Sequence, residues 1–298
     1  MKLINKHPMI MIVIGVIGIS LSSIFVKYSS APPAVTAAFR LLWTVLLMTP
    51  AALGKREIRT EFTQMGRRSI LLSILSGVFL ALHFWAWFAS LDHTSVASST
   101  TIVCTEVIWV SLGYCIFMKG RLSGKAIIAI LITLAGSVII ACADSMSEGG
   151  HLYGDMLALL AAIAVAVYVL IGKAVRKNVS TTAYTYVVYT ACAVVLLGIS
   201  LIQGQRLFSC GPSAIIVGLL LAVFSTILGH SIFSWCLKYF SPSFVSASKL
   251  CEPVVASILA GFLFGELPVP MQAVGGAIII AGVLFYSRIE SKAGGTQE

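Results

Sequence analysis

Two acids, Glu106 and Glu252, lie deep inside apolar stretches, and a shift of 146 positions carries the first onto the second. A carboxylate in hydrocarbon is costly, so such a residue ordinarily faces a protein interior or a wet cavity and marks a functional path. The chemistry open to these two is binding of a substrate amine or carriage of a proton. Lys249 stands three residues before Glu252, where the two could simply neutralise each other as a structural pair. Arg40 could partner Glu106, hold a substrate carboxylate, or reach out of the bilayer. Helical spacing puts Ser98, Ser99, Ile102, Glu106 and Trp109 near one face, a stripe suited to a polar organic solute. Ser248, Lys249, Glu252 and Ala256 share a second face. His83 and Trp87 are four apart, with Ser76 and Leu80 on the same side, and Thr226, His230 and Phe233 form a similar stripe. An intramembrane histidine can relay protons or bind a ligand, or it can bond a neighbouring helix's carbonyl.

The elements that must position these residues are membrane helices. Hydrophobic residues make up 58% of the 298-residue chain and charged residues 10%, with a mean hydropathy of +0.99. A soluble globule of this length needs more charge to cover its surface. The apolar runs have helix length for a ~30 Å hydrocarbon core, not the ~10-residue alternation of a membrane barrel. The pattern predicts an all-α polytopic membrane protein with ten transmembrane helices, at 8–28, 33–53, 69–91, 95–117, 123–142, 154–172, 183–202, 213–235, 243–265 and 269–287. The run at 9–26, with Lys2 and Lys6 before it, could imitate a signal peptide, but it is long for one and has a counterpart in the second half. It reads as a retained first span.

With the N-terminus in the cytoplasm, nearly all loop cations fall inside, among them Lys55, Arg67, Arg121, Lys177, Lys238 and Arg288, whereas Arg206 falls outside. That asymmetry predicts two cytoplasmic termini. The net charge of +9 therefore reports orientation rather than nucleic-acid binding, because the cations sit in short loops and not on one aromatic-laced face. The same 146-residue shift superimposes spans one to five on six to ten, with Lys27 on Lys173 and Gly136 on Gly282. Five is odd, so the second copy must enter the bilayer upside down. The expectation is two inverted five-helix repeats, 8–142 and 154–287, rocking around a midplane site.

In this frame Tyr168 and Lys173 close span six, and Gly229-His230 lies in span eight. Leu250-Cys251-Glu252-Pro253-Val254, Phe264-Gly265-Glu266 and Gly275-Gly276 follow. The first half repeats the pattern in His83, Leu91-Asp92-His93-Thr94-Ser95, Thr105-Glu106-Val107 and Gly136. The chain resembles the EamA-like permeases of the drug/metabolite transporter superfamily over nearly its whole length. The resemblance implies a ten-helix basket whose cavity is lined mainly by spans one, three, four, six, eight and nine, with spans five and ten peripheral. It also implies a secondary carrier, often an exporter of amino acids or related metabolites, and brings Tyr168 into the candidate substrate-binding set. Gly120 stands where Glu266 does in the second copy, and Val107 where Pro253 does, so the two halves are expected to differ. Pro253 removes an N–H inside span nine, which predicts either a broken helix at the binding site or a plain kink.

The candidate substrate-binding residues are thus Glu106, Glu252, Ser99, Trp109, His83, Trp87, His230, Arg40, Lys249 and Tyr168. Lys27 and Lys173 are expected to snorkel from helix ends. The seven cysteines follow no metal or redox spacing, and the histidines lack clustered ligands, so no metal or cofactor is expected. There is no phosphate loop, nucleophile elbow or HExxH, which argues against an enzyme or an ATP-driven pump in this chain alone. The expected partners are a small-molecule substrate and the lipid bilayer of a bacterial inner membrane, with the protein a monomer or homodimer. An uncoupled facilitator or uptake permease needs the same fold without proton chemistry. A non-transporting receptor or scaffold predicts large soluble loops or tails.

Overall fold

The structure is a computed structural model and describes residues 8–26, 28–94, 96–144, 152–207, 210–264 and 270–294. It is built from helices: α1 (Pro8–Val26), α2 (Pro33–Leu53), α3 (Arg56–Gln64), α4 (Arg67–Leu91), α5 (Val96–Cys104), α6 (Glu106–Met118) and α7 (Gly124–Asp144). The second half holds α8 (Leu152–Val175), α9 (Thr181–Ile202), α10 (Gly211–Leu220), α11 (Ile232–Cys236), α12 (Pro242–Lys249), α13 (Glu252–Phe264) and α14 (Pro270–Gly294). Between α10 and α11 the chain winds as a π-helix over Leu221–Ser231. Eight stretches of described helix are long and apolar enough to cross a membrane, and Gly124–Ile139 is a shorter apolar one. Large apolar side chains point outward at Phe117, Ile202 and Phe262, each more than 80% exposed, as a lipid-facing surface requires. The short α3, with no buried residue, is charged and lies between α2 and α4.

The helix boundaries agree with the expected ones to within three residues except at the end of α14, which runs on to Gly294, and besides the π-helix in expected span eight two breaks matter for the site. Expected span four is divided into α5 and α6, and expected span nine into α12 and α13. At the first break the Thr105 N–H and hydroxyl both donate to the Ile102 carbonyl, at 3.0 and 2.6 Å. A tight three-residue turn thereby replaces one helical turn. At the second, Leu250 and Cys251 donate to the carbonyls of Ala247 and Ser248, again three residues back. Pro253 has no N–H to offer the Lys249 carbonyl four residues earlier. The expected break at Pro253 therefore occurs, and Thr105 produces its counterpart without a proline.

Packing follows a regular scheme. α4 lies against α8, and α1 lies against the π-helix; α2 packs on α9, and α7 on α14. α6 leans on α8, and α13 on α1. Small residues permit the close crossings. A Cβ on Gly18 would sit 2.7 Å from the Phe224 carbonyl oxygen, so α1 and the π-helix meet backbone to backbone. Gly136 stands in the same relation to α14, where a Cβ would lie 2.7 Å from the Gly275 oxygen and 3.0 Å from the Ile279 nitrogen. Those atoms cannot swing aside. Gly136→Ala is expected to cost about 1–3 kcal/mol through overpacking. Gly198→Ala, on α9 with open space around it, should gain about 0.5–1 kcal/mol from helix propensity. Thermal unfolding of the two purified variants in one detergent checks the contrast; equal melting temperatures would remove the argument.

Side chains tie down two of the helix starts and the turn after α11. Ser180 and Ser241 cap α9 and α12, their hydroxyls accepting from the Ala183 and Phe244 N–H groups at 3.2 Å. The expected snorkelling of Lys173 is replaced by a structural role. Its ammonium donates to the carbonyls of Leu237 and Phe240, both at 2.7 Å, and closes the turn after α11. Carbonyls at a helix end carry partial negative charge and lack partners, which is why a lysine settles there. Lys27 lies outside the described residues. Arg176, just past α8, is also buried rather than dangling in a loop. Its guanidinium donates to Ser234 O at 3.2 Å and to Val179 O. Burial lowers its pKa from the usual arginine value.

Candidate functional site

Midway along the helices, Ile19, Ser22, Arg40, His83, Trp87, Val103, Glu106, Val165, His230, Lys249 and Glu252 enclose a cavity. It comprises about 440 Å³ of non-atom space, of which about 60 Å³ accommodates the centres of water-sized molecules. Ligand sites commonly have several hundred cubic ångströms, so this is a contracted chamber. Its wall takes residues from α1, α2, α4, α5, α6, α8, the π-helix, α12 and α13.

Glu106 and Glu252 enter the chamber because each is the first residue after a helix break. Each therefore sits at a helix N-terminus, where unpaired N–H groups and the helix dipole favour an anion. The two acids differ in their partners. Lys249 Nζ lies 2.9 Å from Glu106 Oε1, the one ion pair among the described residues. The expected local Lys249–Glu252 pair is thus replaced by a long-range pair that joins α12 to α6 across the two halves of the sequence. The Glu252 side chain makes no ion pair or hydrogen bond with a described residue; only its carbonyl receives the Ser20 hydroxyl, at 3.3 Å.

Arg40 is 1% exposed and does not pair with Glu106. Its Nε donates to the Thr226 hydroxyl at 2.7 Å and Nη1 to Ser22 at 3.5 Å, while the guanidinium lies 4.1 Å over the Phe84 ring. No carboxylate of a described residue compensates it directly. The π-helix shapes this contact. The Thr226 and Ser231 hydroxyls donate to carbonyls five residues back, Leu221 and Thr226, at 3.2 Å, which matches the wider winding. π-Helical segments recur at functional sites.

His83 and His230 face one another with ring centroids 6.5 Å apart. His83 Nδ1 lies 3.0 Å from the Ala161 carbonyl. A carbonyl only accepts, so Nδ1 carries the proton and a neutral ring turns its Nε2 lone pair away from that bond. Trp87 stacks on His83 at 6.2 Å, and its buried indole N–H has no hydrogen-bond partner among the described residues. A buried donor left this way ordinarily has a ligand or water to meet.

Seven of the ten candidate residues therefore line the chamber: Arg40, His83, Trp87, Glu106, His230, Lys249 and Glu252. Three are placed elsewhere. Trp109 is 36% exposed and absent from the wall although it follows Glu106 within α6, and the turn at Thr105 resets the helical phase of the residues before it. The same reset brings Val103 to the wall instead of Ile102. Ser99 is fully buried and hydrogen-bonded to Ser90 at 2.5 Å, tying α5 to α4. Tyr168 stands behind the wall, bonded to Ser234 at 2.8 Å with its ring edge-on to His230. Ser22 of α1, outside the candidate set, adds its hydroxyl to the wall. Of the two tryptophans in α4, Trp87 reaches the chamber and Trp85 is half-buried outside it.

A chain of apolar helices around a charged central chamber is the form of a membrane carrier. Residues 7–142 and again 152–288 match the EamA-like transporter family, and the chain belongs to that family; it is a multi-pass membrane protein. It is similar to the uncharacterized transporter YwfM of Bacillus subtilis, 27% identical over 265 residues that cover 88% of this chain and 87% of that one. The uncharacterized transporter YxxF of the same organism is 25% identical over 98% of this chain and 92% of its own. An uncharacterized transporter of Archaeoglobus fulgidus is 23% identical over 88% and 91%. A crystal structure covering 97% of this chain and 99% of its own superimposes with a TM-score of 0.79 at 15% identity, a likeness of fold.

Proposed function

We propose that this transporter is a secondary carrier of a small zwitterionic metabolite, an amino acid or related solute, exporting it by alternating access between two inverted five-helix halves. The carrying observation is the set of unfilled valences in the chamber. Among the described residues Arg40 has no carboxylate at ion-pair distance, the Trp87 N–H has no hydrogen-bond partner, and Glu252 has no cation at ion-pair distance. A substrate carboxylate suits the first two and a substrate ammonium suits the third. The Glu106–Lys249 pair then holds the halves together rather than binding directly.

Ten spans and an inverted relation are supported by the packing scheme. Under the 146-residue shift the contact of α1 with the π-helix becomes that of α8 with α4, and the α7–α14 and α2–α9 contacts map onto themselves. Counting α5–α6, the α10–α11 stretch and α12–α13 as one crossing each gives ten. The domains are then 8–142 and 154–287. The cationic loops favour a bacterial inner membrane with both termini in the cytoplasm. Export, rather than uptake, rests on the family resemblance.

Glu252 is the acid placed to exchange a proton for the substrate ammonium. Glu252→Gln is expected to abolish the response of proteoliposome flux to an imposed pH gradient while counterflow of the same substrate continues. The substrate for this assay comes from a thermal-shift screen of metabolites on the purified protein. If wild-type flux ignores the gradient, the uncoupled facilitator takes the place of this reading. If no metabolite in the screen moves in counterflow, the zwitterion assignment fails.

A further inference from the structure

A second polar chamber lies well away from the central one, at the ends of the helices. It is bounded by the α6–α7 turn, the end of α8, the 238–241 turn and the end of α14, and comprises about 1370 Å³ of non-atom space. Its charged residues are Arg121, Lys173, Lys238 and Glu290. Glu290 already accepts the Ser241 N–H at 2.5 Å, and two of the three N–H bonds of Lys173 go to carbonyls. Arg121 and Lys238 are exposed and make no ion pair with a described residue. The chamber is therefore an electropositive recess with two uncommitted cationic heads.

Tyr286 backs the wall, 1% exposed, with its hydroxyl beside those of Ser241 and Ser243. The remaining wall is apolar, with Leu122, Ala126, Phe240 and Ile289. The chamber thus offers cations and a hydroxyl beside hydrocarbon, at the depth where spans end. The charge of Lys238 is not inherited from the duplication, because Asp92 stands at the matching position.

We propose that this recess binds a phosphate group, supplied by the headgroup of an anionic phospholipid. Arg121 and Lys238 neutralise the phosphate, and the apolar wall receives the first carbons of the chains. Basic pockets at the ends of membrane helices are suited to such headgroups. Because the recess joins α6, α8 and α14, an occupied site ties the two halves together at this end of the protein. The site stands independently of what the central chamber carries.

The test uses the purified full-length protein in detergent and native mass spectrometry, with phosphatidylglycerol and phosphatidylcholine as competing probes. Wild-type protein is expected to retain phosphatidylglycerol preferentially, and Arg121→Gln with Lys238→Gln to lower that preference by about 5- to 30-fold. Both substitutions are on exposed residues, so folding is expected to persist, checked by an unchanged melting temperature without lipid. Inorganic phosphate and glycerol 3-phosphate form the soluble arm, read by thermal shift. Stabilisation by these at millimolar concentration, lost in the double variant and without any lipid preference, would overturn the lipid source. Equal retention of both lipids by the wild type with no soluble effect, or a preference untouched by the double variant, would overturn the site.

Discussion

Glu106→Gln lowers the stability of the folded protein by about 3–5 kcal/mol, the cost of leaving a buried ammonium without its carboxylate. Lys249 and Glu106 are only 12% and 7% exposed in their side chains, so solvent cannot take over the lost partner. Lys249 also lies 5.6 Å from the Phe233 ring, too weak an attraction to replace a carboxylate at 2.9 Å. The double variant Glu106→Gln, Lys249→Met removes both charges, and most of the lost stability should return. Thermal unfolding of the single and double variants measures this cycle. A loss below about 1 kcal/mol for the single variant would place the pair with solvent-screened surface bridges and remove its role in joining α6 to α12. The double variant is expected to fold yet transport poorly, since the charge that fastens the halves is also gone.

Arg40→Met is expected to give the opposite signature: unchanged or higher stability, with transport reduced by about 100-fold or more. A guanidinium sealed among helices without a carboxylate is a burden on folding, and an apolar side chain of similar length removes it. A substrate carboxylate would then lose its charged, forked donor. Arg40→Lys separates charge from geometry. It keeps the cation but loses the planar contacts with Thr226, Ser22 and Phe84, and should restore only part of the flux. Counterflow in proteoliposomes and thermal unfolding on the same preparations supply the two readouts. Full transport by Arg40→Met would end the assignment of this residue to substrate binding.

The helical extents were legible because hydrocarbon imposes them: an apolar run of sufficient length bounded by loop cations has few other structures available. Seven wall residues were legible for a related reason, since a charge or imidazole deep in such a run must turn inward. The failures are local. Ile102 shares a face with Glu106 only if helical phase carries through Thr105, and the turn there is made by a hydroxyl that sequence alone does not distinguish from an ordinary helical threonine. Lys249 was matched to the nearest acid along its own helix, whereas its partner lies 143 residues away. Ser99 looked like a ligand and is a helix-to-helix bond. At Gly120 a Cβ would lie 2.3–2.5 Å from atoms of the Tyr114 ring, so a side chain at that place requires the ring to move.

The π-helix at Leu221–Ser231 lies where the first half has α4, an unbroken α-helix. Under the proposed alternating access, two interchangeable halves would make the inward- and outward-open forms equivalent by a two-fold rotation and equal in energy. With the wide winding in one copy alone, that degeneracy is lifted. An empty carrier of the proposed kind would then rest in one of its two forms by preference, before any gradient acts on it.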